Sequence, residues 1–524
     1  MAAHGNSGDC IVEPVVAPAP GGGRARWRAA APWAVGLVLA IVMLGPALAP
    51  GPLFTLDLVL PSDLPVPRGV WGLGPELPRR VPLWLPLAWL SPLIGGDTAG
   101  KLLMVASIVV AYAGMHRLAW RAMGERASEL TAHGAALLYA LSPFLLTRLG
   151  VGHLMVAVPM AVLPWALPTL LAPAVDLRRT FLAALALGFA GHYGGTLAVL
   201  VTLAALLATR GERRLPRTLA ALGTVLAAQL PWIVPGIIVY SEGASIVDAA
   251  PFASYAEGTE GLAQLLAGHG FWNPLYQVGQ EGGWLVGLAG IALLALAVVG
   301  TRDLPRPWRA PMAGLAAFGL LAAAASAAPR GEDLGPVARL QVHVADAYVW
   351  LTQNPVGSIV REGQRLLPLY LVWLAPAAAL GARHLARLLL RTGRTGWRAP
   401  VASMVQVLPI VLAVLLAAPG AWGIDPRLRP IDVPQDWADA RALIEADPGT
   451  VLALPWHQYF NLEVDGIRRV LNPLPLYLGG DVLVSSNPEL AGQDRRERVD
   501  PREPAVDDLV RDLRAREALS LIHI

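Results

Sequence analysis

The chain has 524 residues, of which 55% are apolar and 15% charged, and its mean hydropathy is +0.51. A typical soluble domain carries about 25% charged residues, so this chain holds too little charge to cover a water-facing surface, and its solvent is lipid. A net charge of +3 leaves no electrostatic footprint for nucleic acid, and a single cysteine, Cys10, excludes an internal disulfide.

Residues 1–30 read as a disordered cytoplasmic leader, rich in Gly, Pro and Ala over its first 23 positions. No apolar stretch precedes Cys10, so it does not fit a lipidation signal. At about 20 apolar residues per crossing, ten spans are expected near 31–49, 101–119, 131–147, 154–174, 181–209, 217–240, 284–300, 310–328, 366–382 and 399–423. The first follows Arg24, Arg26 and Arg28 and ends in Ala47, Leu48 and Ala49, like a signal peptide. Pro50 then occupies the position after the cut, so an uncleaved anchor is expected.

The stretch 181–209 has arginines on both flanks and a Gly191-His192-Tyr193-Gly194-Gly195 break in its middle. It reads as a re-entrant or split helix, tolerated at membrane depth only where protein or a water-filled cavity surrounds it. With that hairpin, 20 basic residues fall on one side of the bundle and 9 in the loops of the other. The excess puts the N-terminus in the cytoplasm. The extracytoplasmic loops are then 50–100, 241–283 and 329–365. Within the first, residues 82–94 carry three prolines and two tryptophans and read as a piece lying along the interface.

After Gly423 the character changes: residues 424–524 hold 18 Asp/Glu and 12 Arg and no stretch long enough to span. They read as an extracytoplasmic polar tail. A helix is expected over 434–447, with Trp437, Ala440, Leu443 and Ile444 on one face, then a turn, a buried strand over 450–454 and an amphipathic helix over 507–519. The uncapped run into 520–524 reads as a truncated or foreign end. The fold class expected is an all-α polytopic membrane protein of about ten spans plus a re-entrant or split helix, with a small α/β extracytoplasmic region.

No Walker A, G-x-G-x-x-G, H-E-x-x-H or C-x-x-C pattern occurs, which excludes a nucleotide site of those types in this chain. The candidate chemistry sits at span ends. Asp57 and Asp63 lie just beyond the first span. A carboxylate in a partly dry site can take a proton from a sugar hydroxyl, or hold a divalent cation beside a phosphate; both alternatives stand. Arg148 and His153 flank a short turn between two spans. Arginine offers a planar fork that suits a lipid phosphate, and histidine can shuttle protons. Arg361, Glu362 and Arg365 precede the ninth span and can grip phosphate or anchor at the interface. His192 is costly at membrane depth unless it lines a cavity. Gln229 reads as interhelical glue, and His269, Trp272, Asn273, Tyr276 and Gln277 have the character of a sugar-binding surface or of an aromatic belt.

This layout, an Asp soon after the first span, a lipid-hugging segment in the first loop, about ten spans and a polar C-terminal region outside, resembles the GT-C class of membrane glycosyltransferases. Residues 141–153 (LSPFLLTRLGVGH) and 361–370 (REGQRLLPLY) look like stretches in large actinobacterial membrane proteins of that type. The resemblance covers roughly 31–423. It implies a polyprenyl-phosphate sugar donor, an envelope glycan or lipid acceptor on the outer face, Asp57 as acceptor-activating base, and Arg148, Arg361 and Arg365 at the lipid phosphate. The first loop departs from the class in having no adjacent acidic pair or D-x-D. Two other functions compete. A transporter or lipid flippase is favoured by the break at 191–195 and disfavoured by the near absence of mid-membrane acids. A non-catalytic scaffold would use the tail to bind a partner.

Overall fold

The computed structural model describes residues 22–66, 81–172, 174–208, 214–241, 254–256, 260–271, 276–279, 282–329, 335–354, 357–391, 396–424, 426, 428–447, 449–463, 467–485 and 502–515. Most of the expected leader, Trp272, Asn273 and the last nine residues lie outside that set.

Helix α1 (Gly22–Leu44) packs on the long α3 (Gly96–Met123), and between them the described parts of the first loop, 49–66 and 81–95, hold regular structure. It holds a hairpin, β1 (Leu53–Thr55) and β2 (Leu58–Leu60), and a helix, α2 (Val81–Ile94). In the hairpin Leu53 pairs with Leu60, Phe54 with Val59 and Thr55 with Leu58. Side chains alternate across a strand. Leu53, Leu58 and Leu60 therefore enter the main core, while Phe54 and Val59 join a second core with Ile431 and Val470 of the C-terminal region. Burial on both faces explains why the segment reads as a continuous apolar run. Helix α2 buries Leu83, Trp84 and Leu87 and exposes Trp89, Leu90 and Leu93, the two-faced character expected of an interfacial segment. Lys101, the sole lysine, ties the start of α3 to the end of the first span by donating to the carbonyls of Ala49 at 2.5 Å and Gly51 at 2.6 Å.

The bundle continues with α4 (Glu129–Ala140), the short α5 (Pro143–Gly150) and α6 (Leu154–Leu170). Helices α7 (Leu177–Gly188) and α8 (His192–Ala208) follow, and α9 (Arg214–Ala228) leads into α10 (Leu230–Ser241). The break expected at 191–195 falls earlier, between Gly188 and His192, so His192 to Gly195 already belong to α8. The expected span 217–240 bends by 70° between α9 and α10. At that bend the buried Gln229 donates to the Ala184 carbonyl at 2.8 Å and accepts from the Trp232 indole, so it glues helices as its position suggested. Strand β3 (Ser254–Ala256) and helix α11 (Glu260–Leu266) precede α12 (Gly283–Gly300), α13 (Arg306–Ala325), β4 (Ala327–Pro329), α14 (Pro336–Thr352), α15 (Leu367–Arg391) and α16 (Arg398–Ala417). Helix α15 is the hub, packed on α12, α13, α16 and α4. Where α12 crosses it, a Cβ on Gly300 would stand 1.9 Å from the Ala377 carbonyl and one on Gly381 1.9 Å from that of Leu296. Only paired glycines allow so close a crossing, the small-residue packing that joins helices in lipid.

Seven helices among the described residues are long and apolar enough to cross a membrane, or eight with the bent α9–α10 pair. Of the ten spans expected, 154–174 corresponds to α6 at 17 residues and 181–209 to the two pieces α7 and α8. Prolines 159, 164 and 168 lie inside α6. The loop expected over 329–365 contains the 17-residue α14.

The C-terminal region has α17 (Gln435–Ala446), β5 (Thr450–Leu452), β6 (Tyr459–Glu463), β7 (Ile467–Leu471), α18 (Leu474–Tyr477), β8 (Asp481–Leu483) and α19 (Glu503–Ala515). Strands β5 and β8 pair in parallel, and β6 and β7 antiparallel. Two details differ from expectation. The strand at 450 is half-exposed rather than buried, because the two-stranded β5–β8 sheet covers little of it. Of the expected helix face, Trp437 packs on Phe54 and Tyr477, but Leu443 is 73% exposed.

Candidate active site

Asp57 stands at the tip of the β1–β2 hairpin. The tip residue Leu56 takes φ 45°, an unfavourable region for a branched side chain, and both of its backbone groups are clasped. Its N–H donates to the Arg469 carbonyl at 2.9 Å, and its carbonyl accepts from the Leu471 N–H at 2.7 Å. The C-terminal strand β7 thus holds the tip, and the Asp57 N–H is fixed in turn by the Val151 carbonyl at 3.2 Å.

Val151 belongs to the corner between α5 and α6. Ser142 caps α5, with Pro143 at its first position, a standard helix start. Arg148 then points into the protein with 1% exposure, the largest fully buried side chain among the described residues. One Nη of Arg148 donates to Nδ1 of His153 at 2.8 Å, and the other reaches the Gly270 carbonyl at 3.3 Å. Its guanidinium lies over the rings of Phe144 and Phe271, 5.0 and 4.9 Å from their centroids. Nε2 of His153 is 2.6 Å from Oδ2 of Asp57. Arginine has no acceptor, so Nδ1 of His153 must accept, and the ring proton sits on Nε2 and is donated to Asp57. The chain of bonds runs Arg148 to His153 to Asp57. On the other carboxylate oxygen, the Tyr459 hydroxyl of β6 donates to Oδ1 at 2.5 Å. Asp57 is half-buried and held from three directions.

The third strand of the site is the turn before α15. Glu362 and Arg365 pair at 2.5 Å, and the Arg365 carbonyl accepts from the Tyr193 hydroxyl at 2.5 Å. Glu362 Oε2 and Arg365 Nε are buried with no hydrogen-bond partner. Unpaired polar atoms in such a place cost about 1–3 kcal/mol each, and more when charged. Burial pushes the Glu362 carboxyl up, but Arg365, Arg361 and Arg148 together overcome this and hold it below its ordinary range. Burial pushes His153 below 6.5, with Arg148 and Arg365 adding to the effect and Asp57 opposing it. Arg148 and Arg365 thus act on both groups, so the 148–153 corner and the 361–365 turn form one electrostatic cluster.

Of the residues singled out in the sequence, Asp57, Arg148, His153, Arg361, Glu362 and Arg365 come together. Asp63 does not: it is exposed and paired with Arg441 of α17. His192 faces Trp232 edge-on at 6.2 Å, and its neighbour Tyr193 enters the cluster instead. His269 is buried beside Gln277, whose amide oxygen also accepts from the N–H groups of Gly270 and Phe271. This serves to shape the loop behind Arg148. Tyr459 and Tyr193 were missed, since each reads locally as an ordinary strand or interface aromatic. As to a metal, Asp57 is met by two hydrogen-bond donors, and among the described residues the one group of three His, Asp or Glu side chains close enough to share an ion lies elsewhere.

A polytopic helical bundle with a clasped acidic loop and arginines at the same level defines a GT-C-type membrane glycosyltransferase. The chain belongs to the family described as alpha-(1->3)-arabinofuranosyltransferase, N-terminal GT-C domain, whose model matches residues 98–459, well over half of its length. Among solved structures it is similar to the mycobacterial arabinofuranosyltransferase AftD determined by single-particle cryo-EM, with a TM-score of 0.55 and 20% identity over 88% of this chain. The match covers 32% of that protein, so this chain spans about a third of its length. A weaker likeness joins it to the Archaeoglobus fulgidus oligosaccharyltransferase, at 13% identity, a TM-score of 0.35, and coverage of 81% of this chain and 58% of that one. No curated protein matches in sequence.

Proposed function

We propose that this protein transfers an arabinofuranosyl unit from a polyprenyl-phosphate carrier to a cell-envelope glycan on the outer face of the membrane, with Asp57 as general base. The observation that carries the reading is the Asp57 carboxylate, fixed by His153 and Tyr459 at the tip of a clasped hairpin. The sugar is suggested by the name of the family. In the transfer step an acceptor hydroxyl attacks the anomeric carbon, its proton passes to Asp57, and the bond from that carbon to the phosphate oxygen breaks. The polyprenyl phosphate leaves with the electron pair. A carboxylate offers about four lone-pair positions, so Asp57 can keep both present donors while it receives the acceptor hydroxyl.

The arginines divide the remaining work. Arg148 is fully buried and bonded to His153 and Gly270, so its role is to set the His153 tautomer and through it the carboxylate. Arg365 is partly open and has an unpartnered Nε. It is the better ligand for the lipid phosphate, with Arg361 beside it; a bidentate fork suits that anion.

The test is transfer of label from a polyprenyl-phosphate arabinose pool to envelope glycan in membranes. Asp57→Asn is expected to lower transfer by about a hundredfold or more, the size of a general-base contribution. Full transfer by Asp57→Asn would sink the assignment. Arg365→Gln is expected to raise the apparent KM for the lipid donor more than it lowers kcat.

A further inference from the structure

About 20 residues along α3 from its start beside the hairpin, roughly 30 Å at the helical rise, a second group of titratable side chains meets at the far end of the bundle. His116 comes from the last turns of α3. Glu129 opens α4, and His133 lies one turn further on, on the same helix face. Their ligand atoms all lie within 4.8 Å of one another. His116 Nε2 is 3.3 Å and His133 Nε2 3.9 Å from the same Glu129 oxygen, Oε2. The two rings are 4.6 Å apart between centroids.

Each ring is already held by its own support. His116 is buried and stacks on Trp120 at 6.0 Å, with 16° between planes. His133 turns its Nδ1 to the Tyr112 hydroxyl at 2.6 Å, and Tyr112 is itself buried. That leaves Nε2 of both rings directed at one carboxylate oxygen. Two imidazole nitrogens and a carboxylate, each steadied from behind, make the donor set of a three-ligand zinc site with an open fourth position. A metal-ligating histidine characteristically bonds a second group through its other ring nitrogen, and Tyr112 fills that place for His133. Tetrahedral ligands at metal distances near 2.0–2.2 Å stand about 3.3–3.5 Å apart, so separations within 4.8 Å need to shrink by at most about 1.5 Å. Glu129 and His133 keep 43% and 27% side-chain exposure, which gives an ion its way in and leaves room for a water.

We propose that His116, Glu129 and His133 bind a divalent transition-metal ion of the zinc class, which ties α3 to α4 across the turn that joins them. The ion is far from Asp57 and takes no part in sugar transfer. Its effect is on the rigidity of the helix pair that carries the α5–α6 corner.

The full chain, purified in detergent through a tag without histidines and stripped with chelator, is titrated with Co2+. One Co2+ per chain is expected, with the strong visible absorption of four-coordinate cobalt, displaced by Zn2+. Glu129→Gln and His133→Gln should each abolish that absorption while eluting from size exclusion as the wild type does. Tyr112→Phe should keep the absorption and weaken affinity about 10- to 100-fold, the usual cost of losing a supporting group. The wild-type titration decides even if a variant fails to fold: no saturable cobalt absorption overturns the site. Absorption retained in both ligand variants, or wild-type affinity in Tyr112→Phe, overturns it as well.

Discussion

At the scale of single residues, Arg148 acts on Asp57 of the candidate site only through His153. Because it can only donate, it leaves His153 one arrangement, with the proton on Nε2 facing Asp57. Protonation of His153 would put a hydrogen on Nδ1 and set it against the guanidinium. The sign of the pH effect follows from the lowered pKa of His153. The unfolded chain takes up the proton first, near its ordinary value of about 6.5. The stability contributed by the neutral ring is therefore complete above that pH and is lost as pH falls through the lowered folded value. Melting curves of wild type and His153→Gln should diverge on the acid side, the wild type losing more, and coincide in slope above neutrality. Parallel curves throughout would show that the neutral ring contributes nothing. A second residue prediction concerns Gly152, whose φ is +83° and whose Cβ would stand 2.3 Å from the backbone nitrogen of Leu58. Gly152→Ala adds left-handed strain worth of order 1–3 kcal/mol and presses on the Asp57 hairpin. Transfer should fall tenfold or more, with a lower Tm; unchanged transfer would mean that the corner does not position the hairpin.

At the scale of elements, the clasp between the first loop and the C-terminal strands joins residues some 400 positions apart, and it explains what was and was not legible in the chain. Ionisable groups at the ends of apolar spans stand out because lipid makes them costly, so Asp57, Arg148, His153, Glu362 and Arg365 were visible one at a time. Their meeting was not, because it depends on how the spans pack. The hairpin was hidden for a different reason. Its tip is Leu56 and Asp57, without the Gly or Asn that announces a tight turn, and the tertiary bonds to Arg469 and Leu471 supply what local sequence lacks. His192 is a polar ring among glycines, yet the start of α8 places Tyr193, not His192, toward Arg365. If the clasp matters to chemistry, Tyr459→Phe should show it. A hydrogen bond to a charged group contributes about 1.5–3 kcal/mol, so transfer should drop by about ten- to a hundredfold with donor KM little changed. An equal rise in KM instead would place Tyr459 in donor binding.

At the scale of the whole molecule, the bundle has two unlike ends. One carries the hairpin, the α5–α6 corner and β6 and β7 of the C-terminal region, joined by hydrogen bonds, with the charges of the 361–365 turn acting on Arg148 and His153. The other carries the arginine-rich starts and ends of α7, α13 and α15 and the His116–Glu129–His133 group. Under the proposed function the first end faces outside and the second the cytoplasm, the orientation that the positive-inside rule favours for this distribution of arginines. In that orientation the proposed lipid-linked donor would meet Asp57 at the outer interface. The chain suits a direct test, because Cys10 is its single cysteine. In a Cys10→Ser background, Leu443→Cys on the exposed face of α17 should react with a membrane-impermeant maleimide applied to intact cells. Arg391→Cys, exposed at the end of α15, should react only after the membrane is permeabilised. The reverse pattern would put Asp57 on the cytoplasmic side. The donor would then have to be used before it is flipped, and outer-face transfer would be excluded even if Asp57→Asn had proved inactive.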